Sequence, residues 1–294
     1  MAQEVWSVTG PQIIDLSGVT SLKLSIVAGR FDVVAQAANE GEDFQEPARI
    51  EVSEVVGDPL AITFEDGRLE IRHQIQGAPG WFKNLMTSVT NNNDNRAVIT
   101  ISVPAQTTVE AGTVSGDGLV QCTTKITKLN TVSGSVVADA TSGELNVNTV
   151  SGEVIIRRHN GLLSAKSVSG EVTASGELSH VRASTVSGEL SLDLLGYTQD
   201  VGTNSVSGDV TIRLPHDLGV DISANTASGT VIINHQKYVP SSGRVRTIAG
   251  PDLQLVTMRT NSVSGHLTIL HRAEAETHAQ ETLPSIGEAL EGQQ

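Results

Sequence analysis

The sequence has little of what most proteins use to cross-link a fold or build a binding pocket. It contains one cysteine, two tryptophans and two tyrosines among 294 residues. The lone Cys122 excludes an intrachain disulfide, so nothing requires an oxidising compartment. No stretch approaches the roughly 18 apolar residues of a membrane-spanning helix, and no basic region followed by an apolar run opens the chain. These absences predict a cytoplasmic protein and leave association with a surface as the alternative.

Basic residues are also scarce. The chain has 33 acidic and 19 basic side chains, which gives a net charge of -14. A surface of that sign repels phosphate backbones and anionic lipid headgroups. We therefore expect no nucleic-acid partner and no direct membrane contact.

A repeat dominates what is present. Thr-Val-Ser-Gly or a close variant recurs with its glycine at Gly116, Gly134, Gly152, Gly170 and Gly188, always 18 residues apart. Three further copies end at Gly208, Gly229 and Gly265, after steps of 20, 21 and 36 residues. A fixed period of this length is typical of architectures in which successive repeats stack on one another.

Each repeat also shows the period of two that marks a β-strand. In residues 150–156 the residues Val150, Gly152, Val154 and Ile156 alternate with a mostly polar set, which predicts that they point inward. Cys122 falls in the same inward alternation. One such strand cannot bury its apolar face alone, but stacked repeats superpose equivalent residues into a continuous core. The sequence therefore predicts an all-β fold, a parallel β-solenoid.

The pattern divides the chain into three parts. We expect residues 1–104 to form an irregular N-terminal β-layer that caps the solenoid and is continuous with it, with a loop over 74–95. Residues 105–272 carry the Ser-Gly repeats of the solenoid. Residues 273–294 form an acidic tail, which could include a short helix. Within the loop lie four apolar residues that are either a short amphipathic contact for a membrane or a partner, or a lid folded on the N-terminal layer, which is the reading that we favour: Trp81, Phe82, Leu85 and Met86.

Superposed repeats would also align polar side chains. The residues after the glycines form an acidic column of Glu153, Glu171, Glu189 and Asp209. Calcium is one hypothesis for this column and a solvated face the favoured one, because the Gly-Gly-x-Gly-x-Asp motif of calcium-binding β-rolls is absent. The first residue of each Thr-Val-Ser-Gly tetrad is Thr or Ser, and superposed repeats would align these residues into an exposed hydroxyl ladder. The ladder either binds a partner or reflects only the preference of β-strands for such residues. Its members are Thr113, Thr131, Thr149, Ser167, Thr185 and Ser205.

The segment Val27–Val33, Val-Ala-Gly-Arg-Phe-Asp-Val, the tetrad series and the final Thr260–Leu267 resemble a bacterial family of proposed adhesins, DUF4097. The resemblance covers nearly all of the chain except the tail. It implies a β-strand-repeat fold and an adhesin-like role, and it supplies no catalytic residues.

We therefore expect a non-enzymatic scaffold or protein-interaction module without cofactor or metal, whose partner is an unidentified protein or another copy of itself. The alternative is a structural protein that stacks end to end, as bactofilins do. A polysaccharide-acting β-helix enzyme is less favoured, because such enzymes need clustered carboxylates and aromatic platforms. The eight histidines show no His-Glu-x-x-His spacing.

Overall fold

The computed structural model describes residues 3–36, 47–73, 95–238, 243–251 and 254–273. Within these ranges all regular secondary structure is β-strand, which confirms the all-β prediction. The strands are β1 (Glu4–Val8), β2 (Gln12–Leu16), β3 (Ser21–Ile26), β4 (Ala28–Gln36), β5 (Ala48–Val56), β6 (Leu60–Glu65), β7 (Arg68–His73), β8 (Arg96–Pro104), β9 (Thr108–Thr113), β10 (Asp117–Gln121), β11 (Ile126–Thr131), β12 (Val136–Asp139), β13 (Ser142–Thr149), β14 (Val154–Ser167), β15 (Val172–Thr185), β16 (Leu190–Leu194), β17 (Asp200–Ser205), β18 (Val210–Leu214), β19 (Gly219–Thr226), β20 (Val231–Ile233), β21 (Gln236–Tyr238), β22 (Arg244–Ala249), β23 (Leu255–Ser262) and β24 (Leu267–His271).

The strands pair in two ladders. The first ladder runs in the order β1-β6-β7-β3-β9-β11-β13-β14-β15-β17-β23-β19-β22. The second runs in the order β2-β5-β8-β4-β10-β12-β14-β15-β16-β18-β24-β20-β21. The long strands β14 and β15 bend from one ladder into the other and so belong to both.

The pairs in the middle of both ladders are parallel, and their register follows the sequence period. Val136 pairs with Val154, and Val154 pairs with Val172, one period of 18 residues apart. The antiparallel pairs lie at the ends, where β6 and β7, β5 and β8, β19 and β22, and β20 and β21 meet. Each repeat is thus a strand of the first ladder, a corner made by the tetrad, and a strand of the second ladder.

Two repeats lie out of chain order. Strand β23 pairs with both β17 and β19, and β24 pairs with both β18 and β20. The last repeat is therefore inserted between two repeats that precede it in the chain. At the other end, β3 and β4 lie between β7–β8 and β9–β10, so the N-terminal region contributes a stacked repeat as well as an end layer.

Small and branched side chains fill the narrow interior between the ladders. One inward column is buried in every repeat and consists of Val136, Val154, Val172, Leu190, Val210, Leu267 and Val231. Burying each such side chain stabilises the fold by about 1.5–3 kcal/mol. Phe31 is fully buried, and its ring occupies the space that a side chain at Gly118 would need.

The tetrad glycines allow successive corners to stack. A Cβ on Gly134, Gly152, Gly170, Gly188 or Gly208 would overlap the carbonyl oxygen of the glycine one repeat earlier. These glycines do not have positive φ, so their role is close backbone approach. Positive φ occurs instead at the opposite corner, at Gly143 and Gly161.

Replacing Gly170 with alanine tests this packing. The new methyl group would collide with the backbone carbonyl of Gly152, so we expect the free energy of unfolding to fall by about 1–3 kcal/mol or more. Chemical denaturation measures the change. Gly10→Ala is the matched control, because a Cβ at Gly10 has nothing within 4 Å, and it should change stability by less than about 0.5 kcal/mol. Equal stability of the two variants would show that the corners do not stack as described.

Candidate functional site

The four residues of each tetrad follow one pattern of burial at the corner between the first and the second ladder. In the copy Thr149–Gly152 the threonine is buried, the valine and serine are exposed, and the glycine is buried. The inward direction predicted for Val150 was therefore wrong, because two consecutive residues face solvent where the chain turns between the ladders. Cys122, at the opposite corner, is likewise exposed and not a core residue, and its φ is +59°.

The hydroxyl ladder lies inside the protein, which corrects its predicted exposure. Thr113, Thr131, Thr149, Ser167, Thr185 and Ser205 are all buried. Their hydroxyls bind the backbone of the glycine three residues later: Gly188 N donates to Thr185 Oγ1 at 2.8 Å, and Thr149 Oγ1 donates to Gly152 O at 2.9 Å. The hydroxyls thus satisfy buried corner backbone groups and are not available to an external partner.

An exposed valine column runs along this corner. Val150, Val168, Val186, Val206 and Val263 are between 41% and 54% exposed, and Val114 and Val132 continue the column with partial exposure. The serines beside them also face solvent, but each bonds to the preceding repeat; for example, Ser151 Oγ donates to Val132 O at 3.0 Å. Sequence reasoning missed this column because it carried strict alternation through the corner.

The acidic column flanks the valines on the side of the second ladder. Glu153, Glu171, Glu189 and Asp209 are exposed, and strand pairing places them in consecutive repeats: Val154 N donates to Glu171 O, and Val172 N to Glu189 O. Neighbouring carboxylates one strand apart, roughly 4.8 Å, repel by about 0.9 kcal/mol in water. Among the residues that the structure describes, no three His, Cys, Asp or Glu side chains are grouped as a metal site requires. Calcium binding by this column stays a hypothesis, and a solvated acidic face stays the favoured prediction.

On the side of the first ladder the valines are flanked by asparagines. Asn148 Nδ2 donates to Asn130 Oδ1, Asn261 to Asn204 and Asn225 to Asn261, each at 2.9 Å. Lys166 and Ser184 occupy the equivalent positions in the two repeats that lie between Asn148 and Asn204. The corner therefore presents three parallel columns to solvent: amide-rich, apolar with serine, and acidic.

The remaining predicted positions are elsewhere. Trp81, Phe82, Leu85 and Met86 lie outside the described residues, as do most of the loop over 74–95 and the tail beyond Ala273. Asn95 is described and is buried, where its side chain accepts a hydrogen bond from Asp58 N at 2.7 Å. Within the described part of the chain, no helix is both long and apolar enough to cross a bilayer.

His159 is a buried titratable group at the opposite corner. Its Nδ1 lies 2.9 Å from Thr141 Oγ1 and its Nε2 lies 3.1 Å from Leu162 O. A neutral ring satisfies both contacts if Nδ1 accepts from the hydroxyl and Nε2–H donates to the carbonyl. Burial lowers the pKa of His159 below its usual 6.5, more than the nearby backbone carbonyls raise it. His159 is therefore a structural group of the interior.

Removing one corner hydroxyl should be costly. Thr185→Val keeps the shape of the side chain but leaves the buried N–H of Gly188 without its acceptor, so we expect a loss of about 1–3 kcal/mol in the free energy of unfolding. Thr211→Val on the outer side of β18 is the control, because that side chain is only partly buried, and it should be nearly neutral. Urea titration of both variants measures the difference, and an unchanged Thr185→Val would contradict the proposed role of the hydroxyl.

The lowered pKa of His159 makes stability depend on pH. Below pH 6.5 the unfolded chain takes up a proton at this ring while the folded protein resists it, so folding stability falls as pH drops from 7.5 to 5. The loss is about 1.4 kcal/mol for each pKa unit of lowering. Melting curves at the two pH values should show a smaller acid loss in His159→Gln than in the wild type. Some acid dependence remains in the variant, because burial also lowers the pKa of His73. An identical loss in both proteins would refute the assignment.

Comparison with known proteins agrees with the repeat architecture. No curated protein matches the chain. A solved structure of a proposed adhesin from Parabacteroides merdae is similar, with 11% identity, a TM-score of 0.51, and coverage of 91% of this chain and 96% of that one. A proposed lipid-binding protein from Parabacteroides distasonis has 16% identity and a TM-score of 0.45, with coverage of 92% of this chain and 94% of that one. At these identities the first likeness shows a common fold and the second carries no argument.

The family is shown by sequence. The family model described as Toastrack DUF4097 matches residues 23–270, which span the N-terminal stacked repeat and all eight tetrads. This match confirms the resemblance seen in the repeat motif. The chain therefore belongs to the DUF4097, or Toastrack, family.

Proposed function

We propose that this protein is a non-enzymatic β-solenoid scaffold that binds a protein partner along the exposed valine column. The observation that carries the proposal is the repetition of an exposed valine at the same corner position from Val150 to Val263, at 41% exposure or more. A contiguous apolar strip on a surface is characteristic of an interaction site.

The fold itself does not require valine at that position. The threonine hydroxyl and the glycine of each tetrad make the corner contacts, whereas the valine side chain points outward from them. The serine beside it shows that a polar residue is compatible with the same exposed corner. Valine leaves apolar surface in water that a polar residue would not, at a cost of roughly 25 cal/mol for each Å². Occupation by a partner removes that cost.

The flanking columns indicate the chemistry of the partner. Carboxylates line one side of the valines, and amide groups with Lys166 line the other. A complementary segment would place apolar side chains on the valines and Lys or Arg toward the carboxylates. An extended strand-like segment would suit a site whose repeat distance is the spacing of β-strands, about 4.8 Å.

The non-enzymatic assignment rests on the regularity of these surfaces. The described valine and acidic columns repeat similar side chains from repeat to repeat, whereas catalysis needs a few different groups converging on one point. The similar structure from Parabacteroides merdae, described as a proposed adhesin, supports binding as the general role. The cytoplasmic location expected from the sequence stays a prediction, which cell fractionation would test.

A matched pair of triple variants tests the valine column. Val150→Ser, Val168→Ser and Val186→Ser together remove three adjacent apolar contacts without touching the interior. We expect capture of partner proteins from an extract of the source organism, quantified by mass spectrometry, to fall by about tenfold or more, since each 1.4 kcal/mol of lost affinity is tenfold.

The control replaces Thr173, Ser191 and Thr211 with alanine. These three residues are neighbours on the outer face of the second ladder, on β15, β16 and β18, so the control changes the same number of side chains away from the valine column. The control should retain the captured proteins. Both variants should keep the wild-type melting temperature within a few degrees, because all six side chains lie on the outside. Equal capture by the two variants would exclude the valine column as the binding surface.

A further inference from the structure

The two ends of the stack carry strands with one unused edge. At one end, β1 pairs with β6 and β2 pairs with β5. At the other end, β22 pairs with β19 and β21 pairs with β20. Among the described residues these four strands have no partner on their second edge, so each presents backbone N–H and C=O groups that can pair with another chain.

The same strands carry strongly exposed apolar side chains. Val5 on β1 is 60% exposed, Ile13 on β2 is 51% exposed and Ile248 on β22 is 59% exposed. Natural proteins usually protect such edges with charges or proline. Here the edge strands carry some exposed charged residues, such as Asp15 and Lys237, but both ends also expose apolar residues.

The strand directions at the two ends are complementary. Two antiparallel pairings give β1 the direction of β7, and parallel pairing then carries that direction through the first ladder to β19, to which β22 is antiparallel. The second ladder gives the same relation between β2 and β21. If the β22 end of one molecule meets the β1 end of the next, both ladders continue through antiparallel pairs.

One register of β1 against β22 matches the two strands along their length. Val5 would lie opposite Ile248 on the outer face, which pairs the apolar residues exposed at the two ends. Trp6 would lie opposite Thr247, and Val8 opposite Val245, on the inner face where both valines are already buried. This register places outward-facing residues opposite outward-facing residues and inward-facing residues opposite inward-facing ones, as directly opposed residues of an antiparallel pair must be.

The second ladder adds a charge match. Lys237 is exposed on β21, and Asp15 is exposed on the outer side of β2. Placing them opposite each other also brings Ile14 against Tyr238, which is partly buried against the core. In contrast, a tail-to-tail contact would bring Arg244 and Arg246 of two copies together on like-charged edges, which is unfavourable.

We propose that this protein assembles head to tail, with β1 and β2 of one copy pairing with β22 and β21 of the next. The contact joins different surfaces, so it is heterologous and extends into a filament if it does not close into a ring. It does not involve the valine column, and it stands or falls independently of the partner proposed above.

Cysteine cross-linking tests the register. In a Cys122→Ser background, Val5→Cys combined with Ile248→Cys places the two sulfurs on directly opposed residues, within reach of a disulfide. We expect a ladder of dimers, trimers and longer species on a non-reducing gel after mild oxidation. The control combines Val5→Cys with Arg244→Cys, whose position lies four residues along the same strand, roughly 13 Å away. The control should give about tenfold less cross-linked product than Val5→Cys with Ile248→Cys, a ratio that corresponds to about 1.4 kcal/mol.

Other outcomes would overturn the proposal. Dimers formed by Val5→Cys alone would show a head-to-head contact, and equal ladders from the two double variants would show random collision. No ladder from Val5→Cys with Ile248→Cys, in protein that melts like the wild type, would show that the ends do not meet.

Sedimentation velocity provides a second measurement without cysteines. The wild type should show larger species as concentration rises, and Ile248→Lys should abolish them by placing a charge at the contact. Val263→Lys is the matched control, because Val263 is 54% exposed on the valine column and away from the ends. It should assemble like the wild type. Loss of assembly in Val263→Lys alone would assign self-association to the valine column instead.

Discussion

The close approach of corner glycines is the constraint on which the rest of the structure depends. Each tetrad glycine lies against the backbone carbonyl of the glycine one repeat earlier, in a space where no Cβ fits. This contact holds successive corners one strand spacing apart, and the buried Thr or Ser hydroxyl satisfies the backbone groups beside it. Because every corner is stacked in the same way, the residues before and after it are also aligned, inside and outside. The apolar interior, the valine column and the acidic column all follow from that alignment.

The sequence predicted the features that depend on repetition within the regular region. The 18-residue period predicted that equivalent strands pair, as Val136, Val154 and Val172 do, and the period of two identified Val154 as a core residue. It could not give the direction of Val150, because alternation holds along a strand and fails at a corner, where the chain changes ladder. For the same reason, Thr149 and its equivalents were expected to be exposed but are buried, and the valines were expected to be buried but are exposed.

The stacking order near the ends was beyond the sequence for a different reason. Spacing along the chain shows which segments are equivalent, but it does not show which of two equivalent segments is the neighbour in space. The tetrads ending at Gly208, Gly229 and Gly265 fit either order, and only the strand pairings place the last between the other two. The apolar residues on the end strands carry no repeat at all, so Val5 and Ile248 stood out only when burial was known.

The inserted last repeat has a consequence for how the chain is made. Strands β9 to β18 can dock one repeat after another as they leave the ribosome, since each needs only what precedes it. Strands β19 and β20 cannot, because the segment that must lie beneath them, β23 and β24, is synthesised later. Docking them early on β17 and β18 would occupy the place of the final repeat and trap a misfolded end. The C-terminal end of the stack must therefore close as one cooperative unit after His271 has emerged.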